Sequence, residues 1–368
     1  MNSSLVYLYN SLYQLLETTL YTKDTITNKD ILTTHTDIHF VMDYNTMTTK
    51  FKDNVNNKHY KYVTCVNITE SITYKLWEIG NQGNLWKPNI INKDTDINID
   101  LFKSHVEKCV RRMKPIEASQ GLMILMLKNP YEALHKLSSI CINDVVLTQG
   151  YSVIIWLMIT IKIKPISIKS IKFINNFVKK LCLINDIIIN HKDSIIKIRK
   201  NITHKTIISN TEEPYASELA ALKLRYKYER NTHTIKQMET AIYYYYYMNE
   251  KINTDNYKSS ELIPDNIDFN YQVIYEAIDY TCCNNLINYI YTKPNININE
   301  SDIQNIIWMS ESGVNFRDNK SLKLSEHTKK IYGYTVFKYY LDNFRKDVIN
   351  KKYDFYKDKK LFTKSHTC

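Results

Sequence analysis

The sequence contains little glycine, proline and cysteine, and each scarcity excludes a class of protein. Only six glycines and seven prolines occur in 368 residues, and neither a GxxxxGK[ST] loop nor a GxGxxG loop is present to cradle a phosphate. The seven cysteines are odd in number, lie far apart and contain no CxxC pair, which excludes a disulfide framework and a zinc ribbon. Patterns of the HExxH, GxSxG and EF-hand types are also absent. We therefore expect neither a metal nor another cofactor.

Arginine is scarce as well, although the chain is basic. The formal net charge is +11, yet only seven of the 49 basic residues are arginines. Isoleucine, asparagine, lysine and tyrosine are over-used, and their codons are A/T-rich, so much of this bias reports the genome. Lysines placed on phosphates release counterions, which makes nucleic acid one predicted partner. The alternative is an evenly solvated lysine surface.

Long apolar runs are nearly absent. Residues 145–161, VVLTQGYSVIIWLMITI, carry no charge but fall short of the ~20 apolar residues of a membrane span, so we predict a buried core helix. The first residues have no basic region before their apolar part, and we predict no signal peptide. We expect an intracellular protein, in the nucleus or cytoplasm of a host cell, that makes no contact with a membrane.

Apolar periodicity predicts an α+β, mainly helical fold with two domains. Residues 1–90 should form an N-terminal helix and a small antiparallel meander, because IHFVMDY, TTKFKD, KHYKYVTCV and SITYKLWEI are rich in β-branched and aromatic residues. The Gly-, Pro- and Asn-containing stretch 80–100 supplies the boundary. Residues 91–368 should form a larger, mainly helical domain with a β-ribbon at about 185–210, built from IIIN, SIIKIRK and HKTIIS.

The predicted ribbon carries the best electrostatic candidates for phosphate contact. On a strand, Lys197 and Arg199 would project from one face and Ile196 and Ile198 from the other. A charged hairpin lying over a phosphate backbone would position nucleic acid without reading its sequence. The alternative is the ordinary solvent face of a ribbon. The predicted nucleic-acid-binding residues are Lys197, Arg199, Lys200, Lys205, Arg111 and Arg112.

Several segments between residues 143 and 340 occur in an order with a known parallel. An apolar helix runs into VIIWLMITIKIKPISIKSIKFIN, and IIINHKDSIIKIRKNITHKTIIS follows. YEAIDYTCCNNLINYIY, DIQNIIWMSES and SEHTKKIYGYTVFKYY come later. This order resembles that of the tyrosine recombinases, which include the phage-type integrases and the baculoviral very late factor. In that family an arginine after a helix and turn, a hairpin lysine, a His-x-x-Arg helix and a nucleophilic tyrosine appear in succession.

The resemblance implies positions for a catalytic set. Tyr332 would occupy the position of the nucleophile, with Tyr334 as the alternative. The hairpin lysine would be Lys192 or Lys197. The first arginine is replaced by Lys162 or Lys164, and the catalytic residues predicted in this way are Tyr332, Lys192 and Lys164.

One family motif is missing. No His or Arg lies between His233 and Arg317, so the chain has no His-x-x-Arg motif. Attack by a phenol, whose pKa is normally near 10, needs preorganised cationic donors around the phosphate, and loss of one such donor costs ~100-fold or more in rate. The resemblance therefore implies a double-stranded DNA-binding protein that is impaired in strand cleavage. The alternative is a non-enzymatic viral structural or host-interaction protein that engages protein partners.

Overall fold

The fold is described from a computed structural model that covers most of the chain between residues 36 and 349. The described residues are 36–52, 54–69, 72–91, 98–186, 207, 215–247, 252–253, 266–268, 271, 273–274, 277, 289–290, 313–317 and 334–349. Within them the protein is α+β and mainly helical, which confirms the predicted fold class. The predicted opening helix lies outside the described residues, as does the ribbon at 185–210 apart from its first two residues and Ile207.

A four-stranded sheet forms the β-rich part of the described chain. Its strands are β1 (Thr36–Asp43), β2 (Thr48–Lys52), β3 (Lys61–Thr69) and β4 (Ile72–Ile79). Their order is β2-β1-β4-β3, with two antiparallel hairpins joined by a parallel β1–β4 pair. The predicted antiparallel meander is therefore wrong, because a meander would place β4 at an edge. β1 and β4 carry the apolar side chains Phe40, Met42, Tyr74 and Leu76, which are almost fully buried at the centre of the sheet.

Eight helices follow within the described residues. They are α1 (Ile99–Arg111), α2 (Pro115–Lys128), α3 (Pro130–Asp144), α4 (Tyr151–Thr160), α5 (Ile168–Leu183), α6 (Tyr215–Tyr226), α7 (Thr232–Tyr247) and α8 (Tyr334–Ile349). Local signals explain several helix starts. The Asn98 side chain accepts hydrogen bonds from the first amides of α1, and Asn129 caps α3 ahead of Pro130. Two three-residue strands, β5 (Asn89–Ile91) and β6 (Asn266–Asp268), pair in parallel.

Helix α4 lies at the centre of the helical layer. All ten of its residues are buried, which confirms the predicted core helix. Gly150 precedes it without a side-chain cap, and the buried carboxylate of Glu218 on α6 accepts hydrogen bonds from the backbone N–H groups of Gly150 and Ser152 at 2.8 and 2.6 Å. A carboxylate at this end of the helix also interacts favourably with the positive end of the helix dipole. Among the described residues, no helix has both the length and the apolar character needed to cross a membrane.

The sheet and the helices share one hydrophobic core. The ring of Tyr44, just beyond β1, meets Trp156 of α4 edge to face with centroids 5.9 Å apart. The hydroxyl of Thr49 on β2 donates to that of Ser152 on α4 at 2.6 Å. The division of the chain near residue 90 stays a prediction, and in the structure the elements before and after it pack against each other.

Candidate nucleic-acid interface

Helix α5 and the loop before it form the most one-sidedly charged stretch of the described chain. Residues 145–185 contain six lysines and no Asp or Glu. One side of α5 packs into the core through buried apolar side chains, among them Ile171, Ile174, Val178 and Leu181. Its N-terminus is fixed by Ser167, whose hydroxyl accepts the N–H of Ser170 at 3.1 Å. The helix is therefore held in place; Lys180 is buried on this side, and three other lysines lie on the opposite side.

Three lysines line the outward side of α5, and we call them the lysine face: Lys169, Lys172 and Lys179. Lys169 and Lys172 are exposed and Lys179 is half-buried. Spacings of three and seven residues bring side chains to one side of a helix. At 1.5 Å of rise per residue, the first and last of these lysines lie ~15 Å apart along the axis. The face thus presents a row of cations without an intervening carboxylate on the same helix.

Two lysines near the start of α5 are oriented by neighbouring groups. The ammonium of Lys169 donates to the backbone carbonyl of Asn81 at 2.9 Å. The ammonium of Lys162 lies 3.8 Å from the centroid of the Tyr131 ring at the start of α3. Neither of these two partners carries a negative charge at neutral pH, but the carboxylate of Glu132, beside Tyr131, also interacts with Lys162. Of the two lysines, Lys169 is therefore the better placed to bind an external anion.

Lys164, predicted to replace the first family arginine, is held inside the protein. Its ammonium forms an ion pair with Glu78 of β4, which also binds Lys61 at 3.3 Å, and its side chain is 18% exposed. It also lies over the rings of Tyr44 and Trp156. A cavity of about 10 Å³ borders this site, far below the ~300 Å³ at which small-molecule pockets usually begin. Through its ion pair with Glu78, Lys164 links the sheet to the loop after α4.

The two arginines predicted to contact nucleic acid lie at the end of α1 and are largely buried. Arg111 donates to Asp144 at 2.7 Å and to Glu107 at 3.0 Å, and Lys136 also binds Glu107, at 2.8 Å. Burial by itself would raise the pKa of Glu107, but Lys136 and Arg111 outweigh it and lower that pKa to about 2. Arg112 is 6% exposed. Contact of Arg111 with a phosphate would require these ion pairs to open.

The remaining predicted site residues lie outside the described residues. They are Tyr332, Lys192, Lys197, Arg199, Lys200 and Lys205. Their predicted roles stay predictions. Sequence reasoning missed the lysine face as a site. A signal for it was present, because the carboxylate-free stretch 145–185 places lysines at helical spacing.

No group of three or more His, Cys, Asp or Glu side chains that could hold a metal ion occurs among the described residues. Arg317 is the first arginine after the segment in which the His-x-x-Arg motif was expected. Its guanidinium donates hydrogen bonds to the backbone carbonyls of Leu181, Ile184 and Val110 and is therefore already used in holding the fold together.

The chain matches no protein-family model, no curated protein and no solved structure.

Proposed function

We propose that this protein binds double-stranded DNA through its phosphate backbone without cleaving it. The observation that carries the proposal is the lysine face of α5, a row of cations on a carboxylate-free helix. Phosphates are the polyanions whose spacing and charge suit such a row, and lysine ammonium groups bind them as point charges. Because α5 contains no arginine to make bidentate contacts with base edges, these lysines would hold a duplex by its backbone and would not recognise its sequence.

The proposal that the protein does not cleave DNA rests on the sequence. Under the recombinase resemblance, Tyr332 would attack a phosphodiester, but the chain has no His-x-x-Arg motif to stabilise the charge that develops on the phosphate. Arg317 cannot replace it without leaving the three carbonyls that it binds. The resemblance therefore supports a non-cleaving relative, and the lysine face supports duplex binding independently of it.

The test is a duplex-binding titration at several salt concentrations. The triple substitution Lys169→Gln, Lys172→Gln and Lys179→Gln should lower the slope of log affinity against log salt by ~2.7, since each phosphate contact contributes ~0.9. At ~0.1 M salt this corresponds to a loss of several hundred-fold if all three lysines contact phosphates. A fluorescently labelled 20-base-pair duplex of arbitrary sequence is a suitable probe.

The matched control changes the same charge on other surfaces. Lys58, Lys236 and Lys346 are exposed in the turn before β3, in α7 and in α8, and their triple substitution by Gln should leave the affinity within about threefold of the parent. Equal losses in the two triple variants would show a diffuse charge effect and overturn the site. No duplex binding at low salt would overturn the function and favour the structural or host-interaction protein that the sequence left as the alternative.

A further inference from the structure

The face of the sheet opposite the core combines aromatic rings with lysines in a defined register; Val41 and Trp77 at its centre are buried, and Lys50 and Tyr62 at its edges are exposed. Alternate residues of a strand point to opposite faces, so the strand pairing shows which side chains share a row. One row across the four strands is Lys50, Val41, Trp77 and Tyr62, and the next is Lys52, His39, Lys75 and Cys65. We call these two rows the aromatic–lysine face. The opposite face carries Phe40, Met42 and Leu76 into the core.

The rings on this face form a connected series. Trp77 lies between the other two: its indole N–H donates to Nδ1 of His39 at 2.8 Å, and its ring meets that of Tyr62 nearly edge to face, with centroids 5.3 Å apart. Trp77 is only 7% exposed, whereas Tyr62 is 48% exposed. The buried indole therefore supports a tyrosine ring that is open to solvent on one side. A ring held in place by packing loses little entropy when a flat ligand stacks on it.

The charges around these rings favour an anionic ligand. The two rows contain three lysines and no carboxylate. Lys50 is exposed, and the Lys52 ammonium donates to the Tyr60 hydroxyl at 2.6 Å. The nearest carboxylate of the following row, Asp37, is already paired with Lys75 at 2.5 Å. Asp43, in the preceding row, accepts the N–H of Asn45 in the adjoining turn.

We propose that the aromatic–lysine face binds single-stranded nucleic acid, with an unpaired base stacked on Tyr62 and the strand's phosphates near Lys50 and Lys52. Base stacking on an exposed ring tolerates any sequence, and lysines beside it follow the backbone. Four strands spaced ~4.8 Å apart place Tyr62 ~14 Å from Lys50, and the exposed ring of Tyr62 offers a stacking surface for one base. This surface is separate from the lysine face of α5, and its occupant is an unpaired strand and not a duplex.

The test measures the binding of a labelled twelve-residue oligothymidylate by fluorescence anisotropy. Tyr62→Ala should weaken binding ~5- to 150-fold, the range of one lost stacking contact. Tyr62→Phe keeps the ring and should bind within about twofold of the parent. Tyr339 on α8 is 64% exposed, and Tyr339→Ala should not change the affinity, which makes it the matched control for loss of a surface tyrosine.

A second pair of variants tests the charges and separates this inference from duplex binding. Lys50→Gln with Lys52→Gln should lower the salt slope for the oligothymidylate by ~1.4, at ~0.7 per phosphate on a single strand. Tyr62→Ala should keep the parent's affinity for the duplex, and the α5 triple variant should keep its affinity for the oligothymidylate. The inference is overturned if the parent does not bind oligothymidylate at low salt, if Tyr62→Ala binds as tightly as the parent, or if only the α5 variant loses single-strand binding.

Discussion

Replacing Gly121 with alanine tests how tightly α1 and α2 are packed. Gly121 lies in α2, and a Cβ atom at this position would stand 2.3 Å from Cδ2 and 2.9 Å from Nε2 of the His105 ring on α1. The imidazole is fully buried. Its Nε2 bonds to the carbonyl of Glu117 at 3.0 Å, and its Nδ1 accepts the N–H of Ile274 at 3.0 Å. The ring therefore cannot move aside without losing at least one of these buried hydrogen bonds.

The magnitude follows from three contributions. Overpacking of a close-packed interior costs ~1–3 kcal/mol, and an unsatisfied buried hydrogen-bonding group costs ~1–3 kcal/mol. Alanine in place of glycine inside a helix returns ~1 kcal/mol through helix propensity. The unfavourable contributions outweigh the favourable one, so we expect Gly121→Ala to lower the free energy of unfolding by about 1–5 kcal/mol.

Urea unfolding followed by circular dichroism at 222 nm measures this change, and a double-mutant cycle isolates its cause. In a His105→Ala background the obstructing ring is absent, so Gly121→Ala should be neutral or stabilising by up to ~1 kcal/mol. If Gly121→Ala leaves the parent's stability unchanged, or costs the same in both backgrounds, the proposed clash with His105 is refuted.

Three further predictions concern buried charges. Glu218→Gln removes a carboxylate from the start of α4 and places an amide N–H donor against a backbone N–H group. The midpoint of urea unfolding should therefore fall by the equivalent of ~1–3 kcal/mol. An unchanged midpoint would contradict the capping role of Glu218. Burial, with Arg111 nearby, lowers the pKa of Lys108 to about 7 in the folded state, whereas the unfolded lysine keeps its proton to about 10.5. The free energy of unfolding of the parent should therefore increase as pH rises above 7, by no more than ~1.4 kcal/mol per pH unit. Lys108→Met should lack this increase between pH 7 and 8.5. The pKa of Glu107 is lowered from 4.5 to about 2, so its contribution to stability is present above pH 4.5 and lost toward pH 2. The stability of Glu107→Gln should therefore fall less steeply than that of the parent between pH 4.5 and pH 2. Parallel curves of stability against pH for the two proteins would count against the ion pairs.

Local signals in the sequence were sufficient to predict the mainly helical α+β class and the buried core helix. The uncharged run at 145–161 indicated a buried helix, and α4 has all ten residues buried. Asn129 and Pro130 are a local signal for the start of α3, where the Asn129 side chain caps the helix. Such features follow from side-chain spacing and capping over a few residues, which the sequence displays directly.

Contacts between distant residues could not be predicted in the same way. The parallel pairing of β1 with β4 replaced the expected meander, because the choice of neighbour depends on which strands bury the most apolar surface together. Lys164 looked like a catalytic replacement, yet it binds Glu78, which is 86 positions away in the chain. Arg111 looked like a phosphate ligand, yet it binds Asp144. The sequence states the charge of a lysine or arginine but leaves open which carboxylate it will meet.

By itself, therefore, the sequence determined the helical and strand segments, the basic charge and the absence of standard catalytic motifs. Only the tertiary structure decided which cations face outward, as Lys169 and Lys172 do, and that Tyr62 shares a sheet face with Lys50 and Lys52. The physical reason is that periodicity is a property of neighbouring residues, whereas exposure and register are fixed by burial of the whole core.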